Sequence, residues 1–215
     1  EQSAGMLGLL DGAITGATSA LTLTNSGNIN VASKNSAGMM VTNNSTTLTK
    51  DKVTATNSGT IKLESTNAGD KKNIGILANE KATGINEGTI QVKTLESVGM
   101  LGQAASEVIN RNTINLIAEK GIGMLAKDAT STALNDGDIN VTGKKSSGML
   151  AKEAGKAENN KNINVTAENG VGIFVSDTGK GENTAPDGKI LLKNKKTVGI
   201  FAKNNGNAYS ALNAG

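Results

Sequence analysis

Cysteine and histidine are both absent from this chain. Without cysteine there is no disulfide framework and no thiolate metal site. Without histidine the commonest general base and transition-metal ligand are missing. A Ser–His–Asp triad therefore cannot form, although a Ser–Lys pair stays open. Aromatic residues make up 1% of the sequence, and proline occurs once, at Pro186. A wide globular core leans on aromatic area, so this core is expected to be aliphatic and narrow. Arg111 is the single arginine in a chain of net charge +3. Nucleic-acid readers favour the arginine fork and aromatic stacking, so a nucleic-acid partner is not expected. No run approaches 18 apolar residues, and so no helix spans a membrane. No signal peptide opens the chain.

What the sequence does contain is a repeat. One half of the unit begins at Gly5, Gly38, Gly75, Gly99, Gly123, Gly148, Gly172 and Gly199, each followed by Met or Ile and then by Leu, Met or Phe. The other half is centred on Ile29, Ile61, Ile90, Ile114, Ile139, Ile163 and Ile190, each with Val or Leu two residues later. Four residues before the isoleucine stand Asn25, Asn57, Asn86, Asn110, Asn135 and Asn159, with Pro186 breaking the row. Two before it stand Gly27, Gly59, Gly88, Asn112, Gly137, Lys161 and Gly188. From Gly99 the glycine spacing is 24, 25, 24 and 27, and earlier it is 33, 37 and 24. A period of this size marks a solenoid.

Alternation in Ile139-Asn140-Val141 and in Ile122-Gly123-Met124 reads as strand, and a third apolar spot precedes the asparagine (Val108-Ile109, Ala133-Leu134). No segment keeps helical periodicity. Three short strands per unit of about 24 residues predict an all-β, right-handed parallel β-helix. Each strand then pairs with its equivalent one coil away, at about 4.8 Å, which gives a rod of roughly 35 Å. The isoleucines stack inward, and the asparagines form an amide row at a bend. The glycine after each asparagine is expected to supply positive φ. On that reading Gly137→Val costs more than about 1 kcal/mol.

Residues 1–215 read as one solenoid, decorated over 1–75 and regular over 76–215. The chain starts and stops inside a repeat without polar caps, so it is expected to be a segment of a longer protein. Insertions in repeats map to loops that often bind. The candidate binding positions are therefore Asp11, Thr15, Asn43, Asn44, Asp51, Asp70, Lys71 and Lys72. Asp136 and Asp138 would suit calcium or, more plainly, a solvated turn. Glycosidase chemistry needs two facing carboxylates, and no coil shows the clustered acids with basic partners of a pectin-degrading β-helix. Catalytic, cofactor and metal sites are accordingly set at none. Lys144-Lys145, Lys195-Lys196, Lys127, Lys152 and Lys203 would form a basic ridge for acidic glycans, or ordinary solvated turns. The row Leu7, Met40, Leu77, Leu101, Leu125, Leu150, Phe174 and Phe201 would form an exposed apolar stripe, unless the strand bends and buries it.

The coupling of Gly-Met-Leu-Ala to Asn-x-Gly-x-Ile-x-Val, in a Lys- and Asn-rich background, resembles the passenger regions of large fusobacterial type V autotransporter adhesins, the RadD-like family. The resemblance implies a signal peptide upstream, a β-helical passenger at the cell surface and a C-terminal outer-membrane barrel. It implies a monomeric, non-enzymatic adhesin whose partners are receptors or glycans on bacterial or host cells. The alternatives are a structural spacer and, further off, a polysaccharide-active enzyme.

Overall fold

The computed structural model describes residues 3–12, 20–46, 52–67, 70–184 and 186–203, and the backbone of residues 210–213. Three parallel sheets run along one axis. The first has eight strands, from Ala4–Leu10 to Val198–Lys203. The second has eight, from Leu21–Asn25 to Ser210–Asn213, and the third has seven, from Asn28–Val31 to Lys189–Leu192. Every strand pairs with its equivalent in the adjacent coils, and the described residues contain no α-helix. The architecture is the expected parallel β-solenoid.

The isoleucine row is a single column. Ile29 pairs with Ile61, and the register passes through Ile90, Ile114, Ile139 and Ile163 to Ile190. Ile61, Ile90, Ile114, Ile139 and Ile163 are fully buried. Each such side chain stabilises by roughly 1.5–3 kcal/mol before ordering entropy is subtracted. The first sheet points Met39, Ile76, Met100, Met124, Met149 and Ile173 into the same core. The second contributes a slimmer column through Ala55, Gly84, Val108, Ala133, Ala157 and Gly181. A Cβ added at Gly84 would lie 2.8 Å from Ile76 Cγ2. Small residues on one wall thus accommodate long aliphatics on the other, which leaves no interior room for rings. The apolar spot before the asparagine is split by strand alternation: Val108 and Ala133 are buried, while Ile109 and Leu134 are half-exposed on the outside.

The asparagine row is a continuous hydrogen-bonded ladder. Each Nδ2 donates to Oδ1 of the next asparagine at 2.7–2.8 Å, from Asn25 through Asn57, Asn86, Asn110, Asn135 and Asn159 to Asn183. The same Nδ2 donates to the carbonyl two residues on, as from Asn110 to Asn112 O at 3.1 Å. The row therefore does not break at Pro186. Asn183 fills the seventh place, and its amide reaches Gly188 O, five residues on, at 2.9 Å. The extra length of that coil lies between these two residues.

The glycine after the asparagine does not have positive φ. Among the described residues Gly12 is the only glycine that does, and Asn112 and Lys161 do not either. What the position requires is clearance. A Cβ at Gly59 or Gly88 would lie 2.0 Å from a carbonyl oxygen of the coil before, and one at Gly137 2.1 Å from Asn112 O. With glycine in place, the next N–H reaches the preceding coil at 2.7–2.9 Å, as at Thr60, Thr89 and Asp138; after Asn112 the bond from Thr113 lengthens to 3.3 Å. One positive-φ column sits three residues before the strand glycine, at Asn35, Lys72, Glu96, Lys120, Lys145, Asn169 and Lys196, with values of 53° to 61°, and another follows the first-sheet strands, as at Glu80, Lys81, Ala104, Ala105, Asp128 and Asp177. The strand glycines serve a third purpose. A Cβ at Gly123 would meet Gly148 O at 2.4 Å and Ile139 Cγ2 at 3.0 Å, so the glycine half of the unit makes space for the isoleucine half.

Two stability outcomes follow. Gly137→Ala lowers stability by about 1–3 kcal/mol through backbone collision, whereas Gly27→Ala, with nothing within 4 Å, stays within about 0.5 kcal/mol. Thermal melts of the two variants check this. Asn110→Ala strands buried partners on both sides and costs more than about 2 kcal/mol. Denaturant titration should find Asn115→Ala, on an outer amide row, close to wild type.

Candidate functional site

Departures from regular stacking concentrate at two corners of the N-terminal third. The first-to-second-sheet corner is long in the first two coils, between Leu10 and Leu21 and between Asn43 and Val53. The third-to-first corner is long between Leu63 and Ile74. Asp11, Asn44, Lys71 and Lys72 are exposed there, and Asp70 is half-exposed. Thr15 and Asp51 lie outside the described residues. Asn43 is corrected: it is fully buried, accepts from Ser45 N at 3.1 Å and donates to Lys81 O at 3.3 Å. Lys81 Nζ in turn donates to Ser45 O at 3.0 Å. Asn43 therefore anchors the loop and is not a contact residue. It closes the strand Ala37–Asn43 rather than opening the insertion, a boundary that the sequence did not mark.

Beside the third-to-first corner, on the outer face of the first sheet, lies a groove of about 280 Å³ lined by Ala4, Leu7, Ala37, Met40, Lys72 and Leu77, among others. Its cause is one column of side chains. Ala4 and Ala37 precede Ile74, Val98 and Ile122 in register, so the wall is low where alanine stands and fills in where branched residues begin. That change of size is visible in the sequence. Lys72 stands at positive φ on the rim. The groove joins an apolar floor to a cationic edge.

The apolar row from Leu7 to Phe201 is also one column in register. It faces outward: Leu101 and Leu125 are absent from the core cluster that holds Met100 and Met124. The strand does not turn these residues inside. Its exposure is uneven, with Leu7 at 60%, Leu101 at 9%, Leu125 at 8% and Phe201 at 44%. Leu101 and Leu125 are covered by neighbours in the coils on both sides, whereas Leu7 and Phe201 stand on the first and last strands of the sheet.

The charged candidates are mostly paired. Lys144 meets Glu168 at 3.2 Å, Lys145 meets Glu119 at 3.6 Å, and Lys127 and Lys152 meet Glu153 at 4.0 and 2.9 Å. Asp136 accepts from Asn160 at 2.8 Å and Asp138 from Asn162 at 2.9 Å, so each carboxylate is tied to an amide of the next coil. Among the described residues, no group of three or more Asp or Glu side chains gathers where a metal could be held.

The model of the BigA third pectate lyase-like domain matches residues 48–184. The chain belongs to that family. The matched span takes in the regular shaft and ends beside Asn183, where the inserted coil begins. No curated protein and no solved structure matches the chain. Membership in the BigA-type family supports an autotransporter-type passenger and does not single out the fusobacterial RadD-like group.

Lys156 provides a handle on the shaft. It lies between Glu158 at 2.7 Å and Glu182 at 3.0 Å. Its hydrogen bond to Glu158 raises the pKa, partial burial opposes that, and Glu182 adds to the rise. A lysine raised on folding contributes fully below its unfolded pKa and loses the contribution as pH climbs through the folded value. Lys156→Gln should therefore melt below wild type at neutral pH, with the gap closing in strongly alkaline buffer. Melting curves across that range read the effect directly.

Proposed function

We propose that this chain is part of the extracellular passenger of a bacterial surface adhesin of the autotransporter type, a rod that contributes to attachment without catalysis. The observation that carries the reading is the register of three parallel sheets, coil upon coil, in a chain of the BigA-type family. A rod of this kind holds its side chains at fixed spacing and places its irregular corners at defined heights. Attachment is assigned to the N-terminal third, which holds both the long corners and the groove at Ala4, Leu7, Ala37 and Met40. The partner is a receptor or glycan on another bacterium or a host cell. Outer-membrane anchoring through a barrel elsewhere in the parent protein, and kinship with the RadD-like adhesins, belong to the same proposal and are supported by repeat style.

The bare coils between Gly123 and Val175 favour a second reading, a spacer that only separates binding modules. A fluorescent form of the purified chain, titrated onto bacterial and epithelial cells, separates the two. The adhesin reading expects saturable binding that falls about tenfold in Asn44→Ala/Lys71→Ala/Lys72→Asn, with an unchanged melt; asparagine is chosen at position 72 because it tolerates positive φ. Binding that is absent or indifferent to these changes leaves the spacer. Release of reducing ends from a polysaccharide panel would instead establish an enzyme.

A further inference from the structure

We infer that the outer face of the third sheet, from Thr89 to Asn164, holds a neutral linear glycan laid along the rod axis. The face is separate from the N-terminal corners, and the two assignments fail independently.

Four consecutive coils present their outward side chains here in two columns. Thr89, Thr113, Asp138 and Asn162 are in register in one, and Gln91, Asn115, Asn140 and Asn164 in the other. The coils before and after are also paired in register, and none of these side chains is buried. All are polar, and Asp138 is the one acid among them. Its carboxylate accepts from Asn162 Nδ2 at 2.9 Å. The outer faces of the other two sheets differ over the same coils. The second sheet shows Glu107, Ile109, Leu134, Lys156 and Glu158, and the first shows Leu101, Leu125, Lys127 and Lys152. Solvated strands ordinarily carry lysine and glutamate; these two columns carry neither.

The second column is ordered in advance. Asn140 Nδ2 donates to Asn115 Oδ1 at 2.9 Å, and Asn164 Nδ2 donates to Asn140 Oδ1 at 3.0 Å. Asn140 thus uses one N–H and one lone pair along the row and keeps one of each for a ligand. Half-exposed amides recur at every coil, about 4.8 Å apart. Two neighbouring hydroxyls of a pyranose offer the matching acceptor and donor. In an extended β-linked chain each sugar advances by close to one coil spacing, so successive sugars can meet successive amides. Because the row already holds the amides in place, little side-chain freedom is lost on binding.

The chemistry of the face argues against other partners. A protein interface is built around an apolar or aromatic centre, which these side chains do not supply. An anionic polymer or membrane calls for cations, and the two columns hold none. A neutral polyol is the partner that fits, bound by hydrogen bonds and weakly per sugar.

The whole chain is titrated by NMR with cellohexaose and chitohexaose, with maltohexaose as a neutral control that coils. An extended hexaose should bind, maltohexaose should not, and added salt should leave binding unchanged. Asn115→Ala/Asn140→Ala/Asn164→Ala should weaken binding about tenfold and melt as wild type, while Asn44→Ala/Lys71→Ala/Lys72→Asn should bind the hexaose normally. Lack of binding by both extended hexaoses, equal binding of maltohexaose, loss of binding in salt, wild-type affinity in the alanine variant, or lost binding in the corner variant each overturns the proposal. Should the alanine variant unfold, Thr89→Val/Thr113→Val decides alone, with weakened binding expected.

Discussion

A buried amide on each coil is the constraint from which the rest of the solenoid follows. An asparagine side chain offers two donors and an acceptor. Here the acceptor receives from the coil before, while the donors reach the coil after and the carbonyl that opens the third sheet, as in the link from Asn135 to Asn159 and Gly137 O. Aspartate has no donor at neutral pH, serine is too short, and glutamine adds a methylene that the bend has no space for. Because the site is fully buried from Asn57 to Asn159, a slipped coil would leave unpaired polar atoms in an apolar column. Such atoms are far more costly than the net gain of the bond. The ladder therefore acts mainly by excluding other registers.

Once register is fixed, like stacks on like and the remaining choices are forced. Carbonyls of successive coils approach closely beside the ladder, so glycine is needed for clearance at Gly59, Gly88 and Gly137. Isoleucine Cγ2 atoms press on the first sheet, so glycine recurs there at Gly75, Gly99 and Gly123. The core is a narrow triangle of aliphatics, with Met on one wall and Ala or Gly on another. This accounts for the scarcity of aromatics better than any argument from composition, and the two phenylalanines, Phe174 and Phe201, stand on an outward column.

The isoleucine column and six of the seven asparagines can be read directly from the sequence, because their spacing is fixed relative to each other. Asn183 escapes when position is counted back from Ile190, since the insertion lies between them; counted forward from Asn159 it falls 24 residues on, in line with its predecessors. The purpose of glycine is harder to see. Positive φ and steric clearance both select glycine, and only the distance to a neighbouring coil separates them. Conversely, the positive-φ positions are occupied by Lys, Glu, Asn, Asp, Ala and Thr, so composition conceals them. At the candidate site the long corners are legible from spacing. The burial of Asn43 is not, because a strand end and a loop start share the same polar residues. The direction of the leucine row does follow from alternation with Met100 and Met124.

Separation of inward and outward columns explains how such a rod can carry recognition at all. A side chain on an outer column touches its equivalents one coil away and little of the core. Replacing Leu125 by Phe174 two coils along, or Ile74 by Ala37 one coil back, changes a surface while leaving the ladder intact. Depth is then a matter of which column is thinned, and charge a matter of which glutamate is omitted. Where leucine persists, at Leu101 and Leu125, the side chains close over one another. The inward columns provide stiffness, and the outward columns are free to vary in size and charge without disturbing it.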